Sequence, residues 1–370
     1  MNRKALLGVA ALALLAAGPL QAQDITIAVV GPMTGPNATI GEQMKRGVQA
    51  GIDEVNARGG MQGRKLKMEV GDDACDPKQA VAVANQLVSK GVQYVVGHAC
   101  SGSSIPAAAV YGENEVFMIS PASSNPTFTD EAAKKGWTTI MRTYGRDDAQ
   151  GTFVGKWLAE QYKGKRIAVL HDKSAYGKGL ADEVKKAMNA GGLREVVYES
   201  ITAGEKDFSA VVTKLKQEKV DLIYLGGYLA EAGLLIRQSR EQGLNATLMT
   251  GDSMANPDFW KIAGPSGEGT MMSFPKEPRN SPAAKDMVAK FKAQGFDPEG
   301  FTLFSTAGVQ TIAAGAERAK SLKPLDISKA LKTGQPVDTV LGPLAFDAKG
   351  DVKDPAYSLY VWRNGSYSEM

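Results

Sequence analysis

The residues best placed for chemistry begin in the stretch VVGHACSGSSIPAAA, Val95–Ala109. An apolar strand pattern runs into a cysteine, then into Ser101, Gly102, Ser103 and Ser104, and then into an alanine-rich helix with Pro106 in its first turn. The first N–H groups of a helix have no intrahelical partner and sit at the positive end of its dipole. Small hydroxyl residues at that point let an anion approach closely, so the spacing suits carboxylate binding; ordinary N-capping is the alternative.

Two further loops offer related chemistry. In ISPASSNPTF (Ile119–Phe128), Ala122, Ser123 and Ser124 can present a carbonyl, a hydroxyl and an N–H side by side, or form a plain turn. In MTGDSMAN (Met249–Asn256), Asp252 follows a strand and can pair with a ligand ammonium, or cap a turn. Tyr176 in HDKSAYGKG and Tyr228 in GGYLAE are loop aromatics after strands, suited to close over a ligand. Phe301 and Phe304 fit a pocket or a core equally well.

Catalytic readings find little support. His98 and His171 are the only histidines, and GHACSGS lacks the spacing of a nucleophile elbow. There is no HExxH, phosphate-binding loop or dinucleotide fingerprint. Two cysteines and two distant histidines make a poor metal set. No catalytic residue, metal or cofactor is expected.

These loops must be held by the elements around them. Strand-like and helix-like segments alternate: a strand at 24–31, a helix at 40–57, a strand at 65–70 and a helix at 76–91. That last helix opens with Asp76 as cap and Pro77 in first position. Strands follow at 94–97 and 116–120, with a helix at 106–111 between them. The rhythm restarts with strands at 166–171, 195–200, 221–226 and 247–250, separated by helices. Such alternation predicts parallel sheets covered on both faces, here in two α/β lobes. Ligands in such sheets bind beyond the carboxyl ends of the strands, where the three loops lie. Helices at 283–293 and 302–319 return after an extended segment at 269–274, so the chain is expected to cross between lobes more than once.

The chain opens MNRK, continues with an apolar run to Gly18 and ends the segment PLQAQ. This pattern predicts an export signal over residues 1–22, cleaved after Ala22 and too short for a comfortable membrane span. The charge is almost balanced, 43 Lys+Arg against 40 Asp+Glu, and gives no basic field for nucleic acid. An exported chain meets oxidising conditions, so Cys75 and Cys100 are expected to pair, with two free thiols as the alternative.

At these residues the sequence resembles the periplasmic solute-binding proteins of branched-chain amino-acid ABC uptake systems, the Leu/Ile/Val-binding type. The resemblance is carried by DDACDPKQAVAVAN (Asp72–Asn85), VVGHACS (Val95–Ser101), HDKSAYGKGLA (His171–Ala181), ITAGEKDFS (Ile201–Ser209), LGGY (Leu225–Tyr228) and LGPLAFDAKGD (Leu341–Asp351). It implies the type I periplasmic binding protein fold: α/β, with two Rossmann-like lobes whose parallel sheets are joined by a three-strand hinge. The N-terminal lobe would take residues 23–142 plus 273–349, and the C-terminal lobe 143–272 plus 350–370. The resemblance also implies a Cys75–Cys100 disulfide, a periplasmic monomer and delivery of a small-molecule ligand to a membrane permease.

Carried over by position, Ser101 and Ser124 would bind the ligand carboxylate. The Ala122 carbonyl, the Ser124 hydroxyl and Asp252 would take the ammonium, Tyr176 and Tyr228 would close over it, and Ser123 would join the cleft wall. Ile40, Leu229 and Ala230 replace residues usual in the family, Asp252 replaces a glutamate and Ser124 a threonine. A more aliphatic cavity follows. An amino acid is therefore the expected ligand, with an organic acid lacking an amino group and a secreted hydrolase as alternatives.

Overall fold

The computed structural model describes residues 23–370; the export signal expected at 1–22 lies outside the described residues. In chain order the first part is β1 (Ile25–Gly31), α1 (Ala38–Ala57), β2 (Leu66–Asp72), α2 (Pro77–Ser89), β3 (Tyr94–Gly97), α3 (Ser101–Glu113), β4 (Phe117–Ser120), α4 (Thr127–Lys135) and β5 (Ile140–Arg142). Next come α5 (Asp147–Gln161), β6 (Ile167–His171), α6 (Ala175–Ala190), β7 (Glu195–Ser200), α7 (Ser209–Gln217), β8 (Leu222–Gly226), α8 (Leu229–Glu241), β9 (Thr247–Thr250), α9 (Asp258–Ala263) and β10 (Met271–Pro275). The chain ends with α10 (Lys285–Ala293), α11 (Thr302–Ala319), α12 (Pro324–Leu331), β11 (Val337–Thr339), β12 (Gly342–Leu344), β13 (Tyr357–Arg363) and β14 (Ser366–Glu369).

The strands form two main sheets. The first is ordered β2-β1-β3-β4-β5 and is parallel throughout. The second is ordered β14-β13-β10-β9-β8-β6-β7, parallel from β10 to β7 and closed by the antiparallel pair β13 and β14. Strands such as β3 (YVVG) and β8 (LIYLG) are buried along their whole length, as central strands flanked by helices on both faces must be.

The helices that return after β10 rejoin the first sheet. α11 packs on α1 so closely that a Cβ on Gly47 would lie 2.1 Å from the Thr302 carbonyl oxygen. Thr306 donates to the Gly47 carbonyl at 2.9 Å across the same contact. The chain therefore passes between sheets after β5, after β10 and before β13. The lobe boundary expected after residue 272 falls inside β10, which stays in the second sheet through Pro275.

Two helix starts matter for the site. Asp76 caps α2 by accepting from the Lys78 and Gln79 N–H groups, as its sequence predicts. α3 differs from the short helix expected at 106–111: it begins at Ser101, directly after Cys100, and keeps Pro106 inside. Proline removes one helix hydrogen bond, and burial of Ala107, Ala108 and Tyr111 offsets that loss.

Candidate interlobe binding site

The carboxyl ends of β3, β4, β8 and β9 converge on one narrow cleft. Ile40, Ala99, Cys100, Ser101, Ala122, Tyr176, Tyr228, Asp252, Ser253 and Phe301 line it, and the space free for a water-sized sphere inside it is only about 20 Å³. The lobes are closed around it. Asn125 Nδ2 donates across the cleft to the Ala175 carbonyl at 2.6 Å, and Thr39 pairs with Asp258.

The start of α3 forms part of the wall. Its first residue, Ser101, is buried and accepts the Asn125 N–H at 3.2 Å, which leaves the serine proton for another acceptor. The N–H groups of the first turn add donors and a favourable dipole. The disulfide between Cys75 and Cys100, with Cα atoms 5.5 Å apart, ties this helix start to the segment ahead of α2.

Asp252, 2% exposed, lines the same cavity. Oδ1 accepts from the Tyr176 hydroxyl, while Oδ2 has no hydrogen-bond partner among the described residues. Burial raises this carboxyl's pKa above the ordinary range, and the Tyr176 and Tyr144 hydroxyls beside it oppose that rise. A buried carboxylate with a bare oxygen is an open position for a cation. Ile40, Ala99 and Phe301 supply apolar wall, and the Tyr176 and Tyr228 rings meet at 5.2 Å between centroids.

Of the residues picked from the sequence, Ser101, Ala122, Tyr176, Tyr228 and Asp252 meet around the cavity. Ser123 and Ser124 are buried just behind the wall. The Ser123 hydroxyl donates to the Ala99 carbonyl at 2.8 Å and pairs with Ser104, bracing the loop against α3. The Ser124 hydroxyl is buried beside the Asp147 carboxylate. Tyr176 sits in the first turn of α6 and Tyr228 caps α8, so both are held by helices rather than by free loops.

Three features escaped the sequence reading. Ser253 lines the cavity, although only its place beside Asp252 could have suggested it. Asp147 is a buried acid at the start of α5; "RDDAQG" reads as an ordinary acidic first turn. Arg142 holds the Ser123 and Asn125 carbonyls at 2.8 and 3.1 Å and anchors the whole second loop. The histidines are engaged elsewhere. His98 Nδ1 lies 2.6 Å from Asp73 and Nε2 3.3 Å from the Tyr111 hydroxyl, and His171 accepts the Lys173 N–H.

Comparison with known proteins gives the same picture. A family model described as periplasmic binding protein matches residues 24–366. The chain is 46% identical over 365 residues to the Leu/Ile/Val-binding protein homolog 2 of Brucella abortus, covering 99% of this chain and 97% of that one. Among solved structures it is similar to a leucine-binding protein of Thermotoga maritima, with TM-score 0.86, 25% identity and coverage of 94% and 97%. It is also similar to a branched-chain amino-acid substrate-binding protein of Streptococcus pneumoniae in complex with isoleucine, with TM-score 0.83, 25% identity and coverage of 94% and 99%. The family match over nearly all described residues, together with a narrow cleft between two α/β lobes, establishes that the chain belongs to the periplasmic binding protein family.

Proposed function

We propose that this protein captures a free aliphatic α-amino acid, branched-chain or similar, and presents it to the membrane permease of an ABC uptake system. The observation that carries the reading is the make-up of the cavity: helix N-terminal donors at Ser101 and the bare Asp252 oxygen share it with the apolar side chains of Ile40 and Phe301. A zwitterion with a short aliphatic side chain meets each of these demands, and burying one requires that both charges find partners.

In this reading the ligand carboxylate docks on Ser101 and the α3 N-terminus, its ammonium on Asp252 with the Ala122 carbonyl and Ser124, and its side chain against Ile40 and Phe301. Tyr176 and Tyr228 close from the second lobe, while Ser123 shapes the loop. The ligand favours closure by the contacts it makes only when the lobes meet. The permease then reads the closed form of a periplasmic monomer. The lobes are divided near residues 142, 275 and 350.

Calorimetric titration with leucine, isoleucine, valine, alanine and isocaproate tests this. Isocaproate is leucine without its amino group. Amino acids should bind and isocaproate should bind far more weakly. Asp252→Asn should reduce leucine affinity by about 2–5 kcal/mol, as truncating a buried charge pair does. No heat from any amino acid refutes the proposal. Isocaproate binding as tightly as leucine would favour the plain organic acid.

A further inference from the structure

Behind the loop that carries Ala122 and Ser124, outside the cavity wall, lies a second buried acid with no ion-pair partner among the described residues. Asp147, the first residue of α5, is fully buried, and neither carboxylate oxygen has a hydrogen-bond partner. Ser124, whose carbonyl accepts the Asp147 N–H at 2.9 Å, has its own hydroxyl buried beside that carboxylate. Asp252 Oδ2, in the cavity wall, is bare as well. Buried acids thus border the loop where the ligand's amino group is expected, Asp252 in the cavity wall with Ala122 and Asp147 against Ser124 behind it.

The nearby cations are committed elsewhere. Arg142 Nε lies 2.7 Å from Asp351, and its other nitrogens hold the Ser123 and Asn125 carbonyls and Thr129. Arg146 is shared by Asp130, Asp148 and Asp351, and Lys349 completes that network at Asp130. Three basic groups are matched there by three carboxylates, and Asp147 is not among them. Burial pushes the Asp147 carboxyl well above the ordinary range; the Asp252 charge adds to the rise, while Ser124 and Arg142 oppose it. The other groups facing it are Asp148 on its own helix, Tyr176 on α6, Tyr224 on β8, Tyr228 at the start of α8 and Tyr357 on β13, while Tyr144, just after β5, faces Asp252. None of these supplies a positive charge.

We propose that Asp147 and Asp252 form a carboxylate pair that shares a single proton while the cleft is empty and releases it to solvent when the ligand's ammonium enters. The inference rests on the amino-acid reading above. Two like charges in a buried site cannot both ionise cheaply, so one O–H bond persists until a cation arrives. On entry of the ammonium that O–H bond breaks, the proton passes to water or buffer, and the two carboxylates face one positive charge. No electrons are transferred. Asp147 thereby joins the recognition of the amino group, and ligands without a cationic group gain nothing from it.

The test is calorimetric titration of the full mature chain with leucine and alanine in two buffers of different ionisation enthalpy, repeated between pH 5 and 9. The wild type should release close to one proton per ligand, and its affinity should rise with pH, by up to tenfold per pH unit, until the empty pair is fully ionised. Asp147→Asn should abolish the proton release and flatten the pH profile. It should also raise the melting temperature of the ligand-free protein at neutral pH, which a merely structural residue would not do. Leucine or alanine binding without proton exchange in the wild type overturns the shared proton and leaves the amino-acid reading intact. Absence of heat with every amino acid overturns both. If the variant does not fold, the wild-type titration in two buffers still decides the matter.

Discussion

Replacing Arg142 by Met removes the group that hangs the second binding loop on the interlobe crossing. The guanidinium is fully buried. It donates to the Ser123 carbonyl at 2.8 Å, the Asn125 carbonyl at 3.1 Å and Thr129 Oγ1 at 2.8 Å, and pairs with Asp351 at 2.7 Å. Breaking a buried ion pair typically costs about 3–5 kcal/mol because a lone charge is left behind. Here Asp351 keeps Arg146 at 2.9 Å and Thr129 at 2.8 Å, so it is not stranded. The main loss is two orphaned carbonyls, each about 1–3 kcal/mol, offset in part by the methionine's packing and the absent guanidinium desolvation. A destabilisation of about 2–4 kcal/mol in urea unfolding is expected. Leucine affinity should also fall, since Ala122 and Ser124 lose their rigid support. A change below about 1 kcal/mol with unaltered affinity would refute the reasoning, showing that the desolvation of the guanidinium cancels its contacts.

Further outcomes follow from other parts of the molecule. Reducing the Cys75–Cys100 disulfide, or Cys75→Ser, frees a 25-residue loop and should lower stability by about 3 kcal/mol in denaturant titrations. Ile40→Tyr adds bulk to an already narrow cavity and should weaken leucine far more than alanine; equal losses would contradict the placement of the side chain. Glu299, just before the cavity residue Phe301, is raised to about 7 by burial, with Arg279 opposing and Asp297 adding. The folded state therefore holds a proton that the unfolded chain gives up near its ordinary carboxylate value. The sign is that stability falls as pH rises from about 4.5 to about 7, and Glu299→Gln should stabilise the protein by about 1–2 kcal/mol at pH 8 but not at pH 4. Parallel stability curves for the two proteins would contradict this.

Much of the architecture is legible because its signals are local. β8 (LIYLG) is an unbroken apolar run, β1 (ITIAVVG) is interrupted only by Thr26, and the α2 cap is written in Asp76 and Pro77. α4 and α12 were not expected from the sequence: they are short, and Pro324 at the start of α12 reads equally well as a turn. The start of α3 was placed five residues late, since proline inside a helix is normally a stop and only the burial around Tyr111 overrides it.

In the site, five of the residues chosen for loop position meet around the cavity, because strand carboxyl ends converge in any such sheet. Arg142 and Asp147 stayed hidden for a different reason. Their meaning lies in what they touch or fail to touch across the fold, and sequence spacing carries no trace of a bare oxygen.

In the proposed complex the ligand carboxylate points toward the start of α3 and its ammonium toward Asp252. A crystal structure of the protein grown with leucine measures this orientation directly. A carboxylate oxygen is expected within hydrogen-bond reach of Ser101 and the ammonium nitrogen within reach of Asp252 Oδ2. Leucine seated the other way round, or bound outside the space between Ser101 and Asp252, would contradict it.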